Sequence, residues 1–434
     1  MMLHPVDPQD IYQVAKKHLH KKIIQRIDPA ELERIPEQSR RTELKQLVES
    51  MVEADTHPLN PLQRATLIEE LLDEMLGFGP LEPILREPNV NDILVNGCNT
   101  MFIEQAGILK EIPNPFSSDS QLMEIIQRII SRVGRRVNES SPMVDARLPD
   151  GSRFNAIIPP LALDGPLVSI RRFGARPLRL EDLLNFKSLT GDMARFLEAA
   201  VQARLNIIVS GGTGSGKTTL LNTLSAYIPH RDRIVTIEDA AELQLQQRHV
   251  CRLESRPANI EGRGQVTIRE LLRNALRMRP DRIVIGECRG AEALDMLQAM
   301  NTGHDGSLTT LHANSPRDSL SRLETMIMLA GLELPISAMR QQICSAVNLV
   351  VQIERLPGGA RKITRITELT GMESEIITMQ DLFIFKQLGV NAVGKAYGRF
   401  ECTGILPHHL HKINEAGIHL PGEMFRQRIM LEIS

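Results

Sequence analysis

The chain has 434 residues, so it can form two or three domains with sizeable cores and is not a single small module. Hydrophobic residues make up 42% and charged residues 24% of the chain, which excludes a fibrous or disordered protein. Lysine and arginine number 51 against 53 aspartate and glutamate residues, and this near-neutral balance gives no reason to expect a nucleic-acid partner.

The cysteines and the apolar stretches indicate a cytoplasmic protein. The five cysteines are scattered without metal-ligand spacing, which is typical of reduced thiols. No stretch approaches the roughly 18 apolar residues of a membrane helix, and the first residues lack the apolar core of a signal peptide. We therefore expect no transmembrane segment, and any contact with a membrane should be peripheral.

The first 58 residues are polar and helix-prone, which predicts a small helical extension. Its basic run from Lys16 to Lys22 is typical of a solvated helix face, and contact with anionic lipid is the alternative.

Residues 59–178 predict an α+β domain. Apolar residues recur at helical spacing from Pro61 to Leu76, and Gly77 should end that helix. Short strand candidates surround one further helix candidate. The strands lie at 92–97, 100–107, 153–160 and 167–173, and the helix lies at 120–133.

From residue 179 onward, helices alternate with nearly continuous apolar strands. Strands that are buried on both faces have this pattern, so the sequence predicts a mostly parallel sheet. Thr267 and Glu270 form a capping box that should open one helix, and Pro280 should stop it. The strand candidates are residues 206–210, 233–239, 281–287, 307–313 and 349–354.

A phosphate-binding loop is predicted at residues 211–218, which read GGTGSGKT between a strand and a helix-prone run. Its backbone amides must wrap phosphate oxygens, so its first, third and fourth glycines should supply torsions that side chains forbid. Lys217 would reach the β and γ phosphates, and the Thr218 hydroxyl would ligate Mg2+. The predicted nucleotide-binding residues of this loop are Gly211, Gly212, Thr213, Gly214, Ser215, Gly216, Lys217, Thr218 and Thr219.

Two glutamates end neighbouring strand candidates. Ligands of a parallel sheet bind beyond the carboxyl ends of its strands, where Glu238 and Glu287 would converge. Hydrolysis needs one carboxylate to orient and partly deprotonate water, and another to hold Mg2+ through its water shell. We interpret Glu238 and Glu287 as dividing these tasks, and helix capping or surface charge is the alternative.

Two histidines flank the next strand. His304 precedes it, and His312 ends it, where His312 could approach the γ phosphate and sense hydrolysis. A structural role is the alternative for both, and neither has the partners of a metal ligand.

Four arginines of the first domain could neutralise phosphate charge. A surface salt bridge is the alternative for each, and the residues leave open which one reaches the nucleotide. They are Arg147, Arg153, Arg171 and Arg172.

Three further motifs follow the phosphate loop in order: the Asp box TIEDAAEL, the Walker B segment DRIVIGECRG and the His box TGHDGSLTTLHAN. With these four boxes the chain resembles the ATPases of type II secretion, type IV pili and type IV secretion. The segment LESRPANIEGRGQVTIRELLRNALRMRP and the upstream GFGPLEPIL, DARLPDGSRFNAIIPP and SIRRF are similar to the tight-adherence (Flp-type) pilus assembly ATPases of the CpaF or TadA type. The resemblance covers roughly residues 60–422.

This resemblance implies ATP and Mg2+ as cofactors, Glu238 as general base, Glu287 as the Walker B acid, and His304 with His312 as sensing residues. It also implies a homohexamer, with Arg153, Arg171 and Arg172 of the first domain completing the nucleotide site. Its partners would be inner-membrane platform proteins at the cytoplasmic face of the bacterial inner membrane. The tetracysteine zinc module of many relatives is absent from the sequence, so no structural metal is predicted.

We therefore predict an α/β protein: a RecA-like P-loop ATPase domain at 179–434, an α+β (PAS-like) domain at 59–178 and a helical extension at 1–58. Its expected function is an ATP-driven motor for Flp pilus assembly, and the sequence leaves open whether the same motor also drives retraction. The alternatives are a type II or type IV secretion ATPase, a pilus-retraction ATPase, a nucleic-acid translocase, or a slowly hydrolysing nucleotide-binding scaffold.

Overall fold

The computed structural model divides the chain into two compact units, Met1–Ala175 and Arg176–Ser434. It describes residues 8–26, 36–105, 108–172, 177–258, 262–331 and 334–433. No helix within these ranges is both long enough and apolar enough to cross a membrane.

The first unit begins with three helices that share one apolar core. They are α1 (Pro8–Arg26), α2 (Glu37–Glu53) and α3 (Pro61–Leu76). Leu19 of α1 and Val48 of α2 are buried in this core. The side chain of Asn60 caps the start of α3, and Gly77 follows its last residue, as the sequence predicted. Helices on both sides of residue 58 contribute to the core, and the domain boundary predicted there stays a prediction.

An antiparallel sheet of six strands forms the rest of the first unit, with the spatial order β3-β2-β1-β6-β5-β4. The strands are β1 (Val90–Asn96), β2 (Thr100–Gln105), β3 (Ile108–Ile112), β4 (Met143–Arg147), β5 (Arg153–Ile157) and β6 (Leu167–Arg171), and the helices are α4 (Glu82–Arg86) and α5 (Asp119–Arg132). α5 buries its apolar face in the same core as the sheet. The sequence analysis missed β3 and β4, and β3 is mostly exposed, so it lacks a buried apolar pattern.

The second unit is built on a sheet of ten strands with the order β16-β15-β14-β13-β12-β7-β11-β10-β8-β9. The strands are β7 (Ile207–Gly211), β8 (Ile234–Glu238), β9 (Val250–Glu254), β10 (Arg282–Ile285), β11 (Leu308–His312), β12 (Leu349–Arg355), β13 (Arg361–Glu373), β14 (Ile376–Val390), β15 (Ala396–Cys402) and β16 (Arg428–Ile433). The six strands from β12 to β9 pair in parallel, and β13 to β16 extend the sheet in antiparallel fashion. The predicted parallel sheet is confirmed, whereas the antiparallel extension and β9 were not predicted.

Helices cover both faces of the parallel part of this sheet. They are α6 (Leu180–Asn185), α7 (Gly191–Gln202), α8 (Lys217–Ser225), α9 (Ile268–Ala275), α10 (Glu292–Asn301), α11 (Pro316–Met328) and α12 (Ile336–Ala346), and α13 (Leu410–Glu415) lies near the carboxyl end of the chain. Successive residues of β7 enter opposite cores, because Ile208 packs with Leu297 of α10 and Val209 packs with Leu221 of α8. This two-sided burial explains the continuous apolar strands of the sequence and confirms the RecA-like α/β prediction.

The capping box of α9 forms as predicted, since the Thr267 hydroxyl accepts from the Glu270 amide and the Glu270 carboxylate accepts from the Thr267 amide. The helix already ends at Ala275, so Pro280 does not terminate it directly. A turn around Met278 separates the helix from β10.

Candidate nucleotide-binding site

The glycine-rich loop at residues 211–218 connects β7 to α8, the context that the sequence predicted. Gly214 and Gly216 have φ angles of 68° and 99°, in the left-handed region that favours glycine. Gly211 differs from the expectation, because its φ lies outside that region. A side chain there would collide with the carbonyl oxygen of Ile353 and lie 2.6 Å from Ser215 Oγ. Close packing, rather than backbone torsion, therefore explains the first glycine.

Lys217 is the first residue of α8 and is 7% exposed. Its ammonium donates to the carbonyl oxygen of Gly212 at 2.8 Å and lies 3.4 Å from Nδ1 of His312. Burial lowers the pKa of Lys217, and the carboxylate of Glu287 opposes that shift. The lysine is thus a partly desolvated cation held above its own loop, and a bound anion would compensate its charge.

His312 lies beside the loop because β11 pairs with β7, with His312 opposite Gly211. Its Nε2 is 2.9 Å from Oε1 of Glu287. The hydrogen-bond network assigns a neutral ring, in which Nδ1 accepts from Lys217 and Nε2 donates to Glu287. Burial lowers the pKa of His312, and the charge of Lys217 lowers it further. Both effects agree with a neutral ring. The three side chains form one continuous polar chain.

Glu287 follows β10 and is held from its other side by Arg289. The guanidinium of Arg289 donates to Oε2 of Glu287 at 2.6 Å and lies 3.6 Å from a carboxylate oxygen of Asp239. The pKa of Arg289 is raised by its hydrogen bond to Glu287. Glu287 is therefore fixed between a histidine and an arginine at the carboxyl edge of the parallel strands.

Glu238 is the last residue of β8 and is 2% exposed. Its Oε2 accepts from the backbone amides of Glu242 and Leu243 at 2.7 and 2.9 Å. Its Oε1 is buried and has no hydrogen-bond partner among the described residues. Burial raises the pKa of this carboxyl, although the two amides oppose the shift. One oxygen thus positions the side chain, and the other is unpaired and could accept a proton.

The remaining loop residues lie as the chain order requires. Thr213 is exposed in the loop, and Thr218 and Thr219 are in the first turn of α8. Ser215 Oγ is buried and lacks a hydrogen-bond partner within the described ranges. The loop therefore offers an unsatisfied polar atom as well as backbone amides.

His304 lies in the turn before β11, apart from the polar chain around Lys217. Its carbonyl oxygen accepts from the hydroxyl of Ser307 at 2.8 Å, and its ring Nδ1 is buried without a hydrogen-bond partner in the part of the chain that the structure describes. Its sensing role stays a prediction.

Three of the four predicted arginines lie on strands of the first unit. Arg147 pairs with Arg153 across β4 and β5, and Arg153 pairs with Arg171 across β5 and β6. Arg171 Nε donates to Asp92 at 3.1 Å, and Arg172 donates to the carbonyl oxygen of Val90 at 3.2 Å. Their contact with a nucleotide stays a prediction.

The sequence analysis did not single out two further arginines near the loop. Arg289 is inside the Walker B segment, two positions after Glu287, and this position was the available signal. Arg361 begins β13, and its Nε donates to the carbonyl oxygen of Gly214 at 3.1 Å. Nothing in the local sequence pointed to Arg361, because β13 itself was not predicted.

A groove of about 460 Å³ opens beside the polar chain that Lys217, His312 and Glu287 form. Arg289 and His312 line one side, and α11 contributes the other through Asp318 and Arg322. The charge of Arg322 also contributes to lowering the pKa of Lys217. The region next to the loop is thus open to solvent and rich in cationic groups.

Comparisons with known proteins show the family of this chain. The family described as type II/IV secretion system protein matches residues 74–412. A putative conjugal transfer protein of Mycobacterium tuberculosis is 37% identical over 312 residues, which are 70% of this chain and 88% of that protein. The type IV secretion system protein PtlH of Bordetella pertussis is 38% identical over 65% of this chain and 91% of its own.

Among solved structures, the VirB11 ATPase of the Brucella suis type IV secretion system, in complex with sulphate, is 32% identical. The match covers 66% of this chain and 91% of that chain, with a TM-score of 0.37. The family match spans most of this chain, reaches into both units and covers all four boxes. The protein therefore belongs to the type II/IV secretion system protein family.

Proposed function

We propose that this protein hydrolyses ATP as a motor that powers assembly of a tight-adherence, Flp-type pilus. The observation that carries the ATPase part is the polar chain from Lys217 through His312 to Glu287, which lies beside a glycine-rich loop. Lysine at this loop and a carboxylate beyond β10, the second strand from β7 in the sheet, are the groups that phosphoryl transfer needs. The pilus part rests on the sequence resemblance.

The loop suits a polyphosphate. Its glycines leave room for backbone amides to face an anion, Lys217 is a buried cation without an anionic hydrogen-bond partner in the described residues, and Ser215 Oγ is unsatisfied. Thr218 and Glu287 would hold Mg2+, the latter through water. Bound Mg-ATP would supply the phosphoanhydride bond that is cleaved.

The residues of the site divide the work. Glu238 acts as the general base through Oε1, because Oε2 is already bound to two amides. Arg289 positions Glu287, and Lys217 neutralises phosphate charge. His312 touches both Lys217 and Glu287, so a change in the charge near the lysine reaches the carboxylate through this ring. We assign His304 to the loop that leads into β11, the strand that ends at His312.

Arg153, Arg171 and Arg172 are proposed as further phosphate-binding residues. Like charges that face each other across a sheet destabilise it, and Arg153 faces Arg171 directly. Asp145 and Asp92 offset part of this repulsion, and a functional need for positive charge on this exposed face would account for the rest.

We further propose a homohexamer that acts on inner-membrane platform proteins at the cytoplasmic face of the bacterial inner membrane. The names of the relatives favour a second candidate, a type IV secretion ATPase with the same chemistry. The two candidates differ in the platform protein that the ring contacts. Co-purification with one or the other platform protein would separate them.

Steady-state ATP hydrolysis by the purified chain, with light scattering in parallel, tests the motor proposal. We expect Mg-dependent turnover and a hexameric mass for the wild type, and a loss of about 100-fold or more for Glu287→Gln. Glu375→Gln, at an exposed position of the β13–β14 turn, is the matched control. A monomer that does not hydrolyse ATP, even with lipid or platform protein, would replace the motor with a nucleotide-binding scaffold.

The pH dependence of turnover tests the role of His312. Because its pKa is lowered from 6.5, the ring is neutral at pH 7 and gains a proton only in a more acidic range. A protonated ring cannot accept from Lys217, so turnover should fall as the pH drops below 6.5 towards that lowered pKa. His312→Asn, which does not titrate, should have lower turnover and a smaller acidic decline, because protonation of Glu238 would remain. His230→Asn, at an exposed position, should keep the wild-type profile, and an unchanged decline in His312→Asn would rule out this role.

A further inference from the structure

Two histidines and an aspartate converge in the helical bundle of the first unit, whereas the glycine-rich loop belongs to the second unit. His18 is on α1, and Asp55 and His57 are in the connection between α2 and α3. His18 Nδ1 is 3.4 Å from Oδ2 of Asp55, and His57 Nδ1 is 2.5 Å from Oδ1. One ligand atom from each of the three side chains lies within 4.8 Å of the other two.

The carboxylate at the centre of this cluster is buried. The Asp55 side chain is 3% exposed. In the described part of the chain its ion-pair partners are these two imidazoles, which carry a full charge only when protonated. A buried carboxylate needs a compensating cation, and a metal ion between the rings would supply one at neutral pH.

We propose that His18, Asp55 and His57 bind a divalent transition-metal ion of the zinc class. Two imidazoles and a carboxylate match the ligand preference of zinc, and tetrahedral bonds of about 2.0 to 2.2 Å place neighbouring ligand atoms about 3.4 Å apart. The distance between His18 and Asp55 already has this value. His57 must exchange its direct hydrogen bond for the metal, a side-chain adjustment, and water would take the fourth position.

The site would fasten α1 to the rest of the bundle. α1 is otherwise held by buried Leu19 and Ile23 and by Lys16, whose ammonium is 2.6 Å from Glu70 and 3.1 Å from Glu74. A metal bond from His18 would add a tie from α1 to the α2–α3 connection. The expectation of no structural metal rested on the missing tetracysteine module, and this cluster uses different residues in a different part of the chain.

Zinc binding by the full chain, stripped with a chelator and titrated without nucleotide, tests the proposal. We expect one site per chain whose affinity falls by about 100-fold or more in His18→Ala and in His57→Ala. Cobalt should bind at the same site and give the visible absorption of a tetrahedral ion, lost in both variants. Zinc should also slow tryptic cleavage after Lys17 and Lys21 in the wild type but not in His18→Ala or His57→Ala.

Two controls exclude other histidines. His20→Ala changes the next histidine of α1, and His411→Ala changes the group of histidines near α13, so both should bind zinc as the wild type does. His18 is 45% exposed, so His18→Ala should keep the wild-type far-ultraviolet circular dichroism. Equal zinc affinity in His18→Ala, His57→Ala and the wild type, or no binding by the wild type, would overturn the proposal. The outcome of the zinc titration is independent of ATP hydrolysis, because the proposed nucleotide site belongs to the other unit.

Discussion

Replacing Lys217 by alanine is expected to reduce ATP hydrolysis by about a thousandfold or more, since one cation on the transferring phosphoryl group is worth this much. The ammonium is desolvated and placed above the loop by Gly212 and His312, so its charge acts on a bound phosphate in a low-dielectric environment. Nucleotide affinity should fall as well, because the same charge contacts the ground state. Steady-state turnover and equilibrium binding of ATP measure the two effects separately.

The same variant should not unfold. Burial lowers the pKa of Lys217, so without a bound anion the charged form is less favourable in the folded than in the unfolded chain. We expect Lys217→Ala to melt at the wild-type temperature or above it. Lys395→Ala, at an exposed position between β14 and β15, is the matched control and should change neither property. Wild-type turnover in Lys217→Ala would contradict the proposed phosphate site.

The parallel half of the second unit could be predicted from sequence because the burial of each strand is visible in its own residues. Strands such as β7 and β8 are buried along their whole length, so their residues are apolar or small except for Glu238 at the end of β8. The loop glycines come directly at the end of β7. The two glycines at left-handed torsions were predicted for the right reason. Gly211 was not, because its requirement comes from Ile353, a residue of β12 far along the chain.

The antiparallel extension and the arginines around the loop could not be predicted, because both depend on contacts between residues that the local sequence does not report. β13 brings Arg361 to the carbonyl oxygen of Gly214, across a separation in sequence that no local pattern reports. Arg289 is close to Glu287 in sequence, but its bond to that carboxylate depends on how the turn after β10 folds. The cluster of His18 with Asp55 likewise requires the packing of α1 against the α2–α3 connection. The residue types of the glycine-rich loop were enough to predict it, whereas tertiary contacts determine which side chains lie around it.

Glu238→Gln is expected to lower kcat by about 100-fold to 10,000-fold, the usual contribution of a general base. The amide oxygen of glutamine can still accept from Glu242 and Leu243, so the position of the side chain is kept. The amide nitrogen then replaces Oε1 and cannot take a proton from water. KM for ATP should change little, because Glu238 makes no contact with the described loop residues that would hold the phosphates.

Stability separates this loss from a folding defect. Burial raises the pKa of Glu238, which means that the charged carboxylate is less favourable in the folded state than in the unfolded one at neutral pH. A neutral amide removes that cost, so Glu238→Gln should be at least as stable as the wild type in thermal unfolding. Glu242→Gln is the control. Glu242 donates to Glu238 through its backbone amide, which the substitution keeps, so this variant should retain turnover.

The comparison with Glu287→Gln then assigns the base. If Glu238→Gln binds ATP normally and does not turn over, while Glu287→Gln also loses the dependence on Mg2+, the two carboxylates divide the tasks as proposed. If Glu238→Gln keeps the kcat of the wild type and Glu287→Gln alone is inactive, Glu287 must accept the proton. The hydrogen bonds from His312 and Arg289 would then act on the base itself, and Glu238 would serve only to hold the loop that contains Glu242 and Leu243.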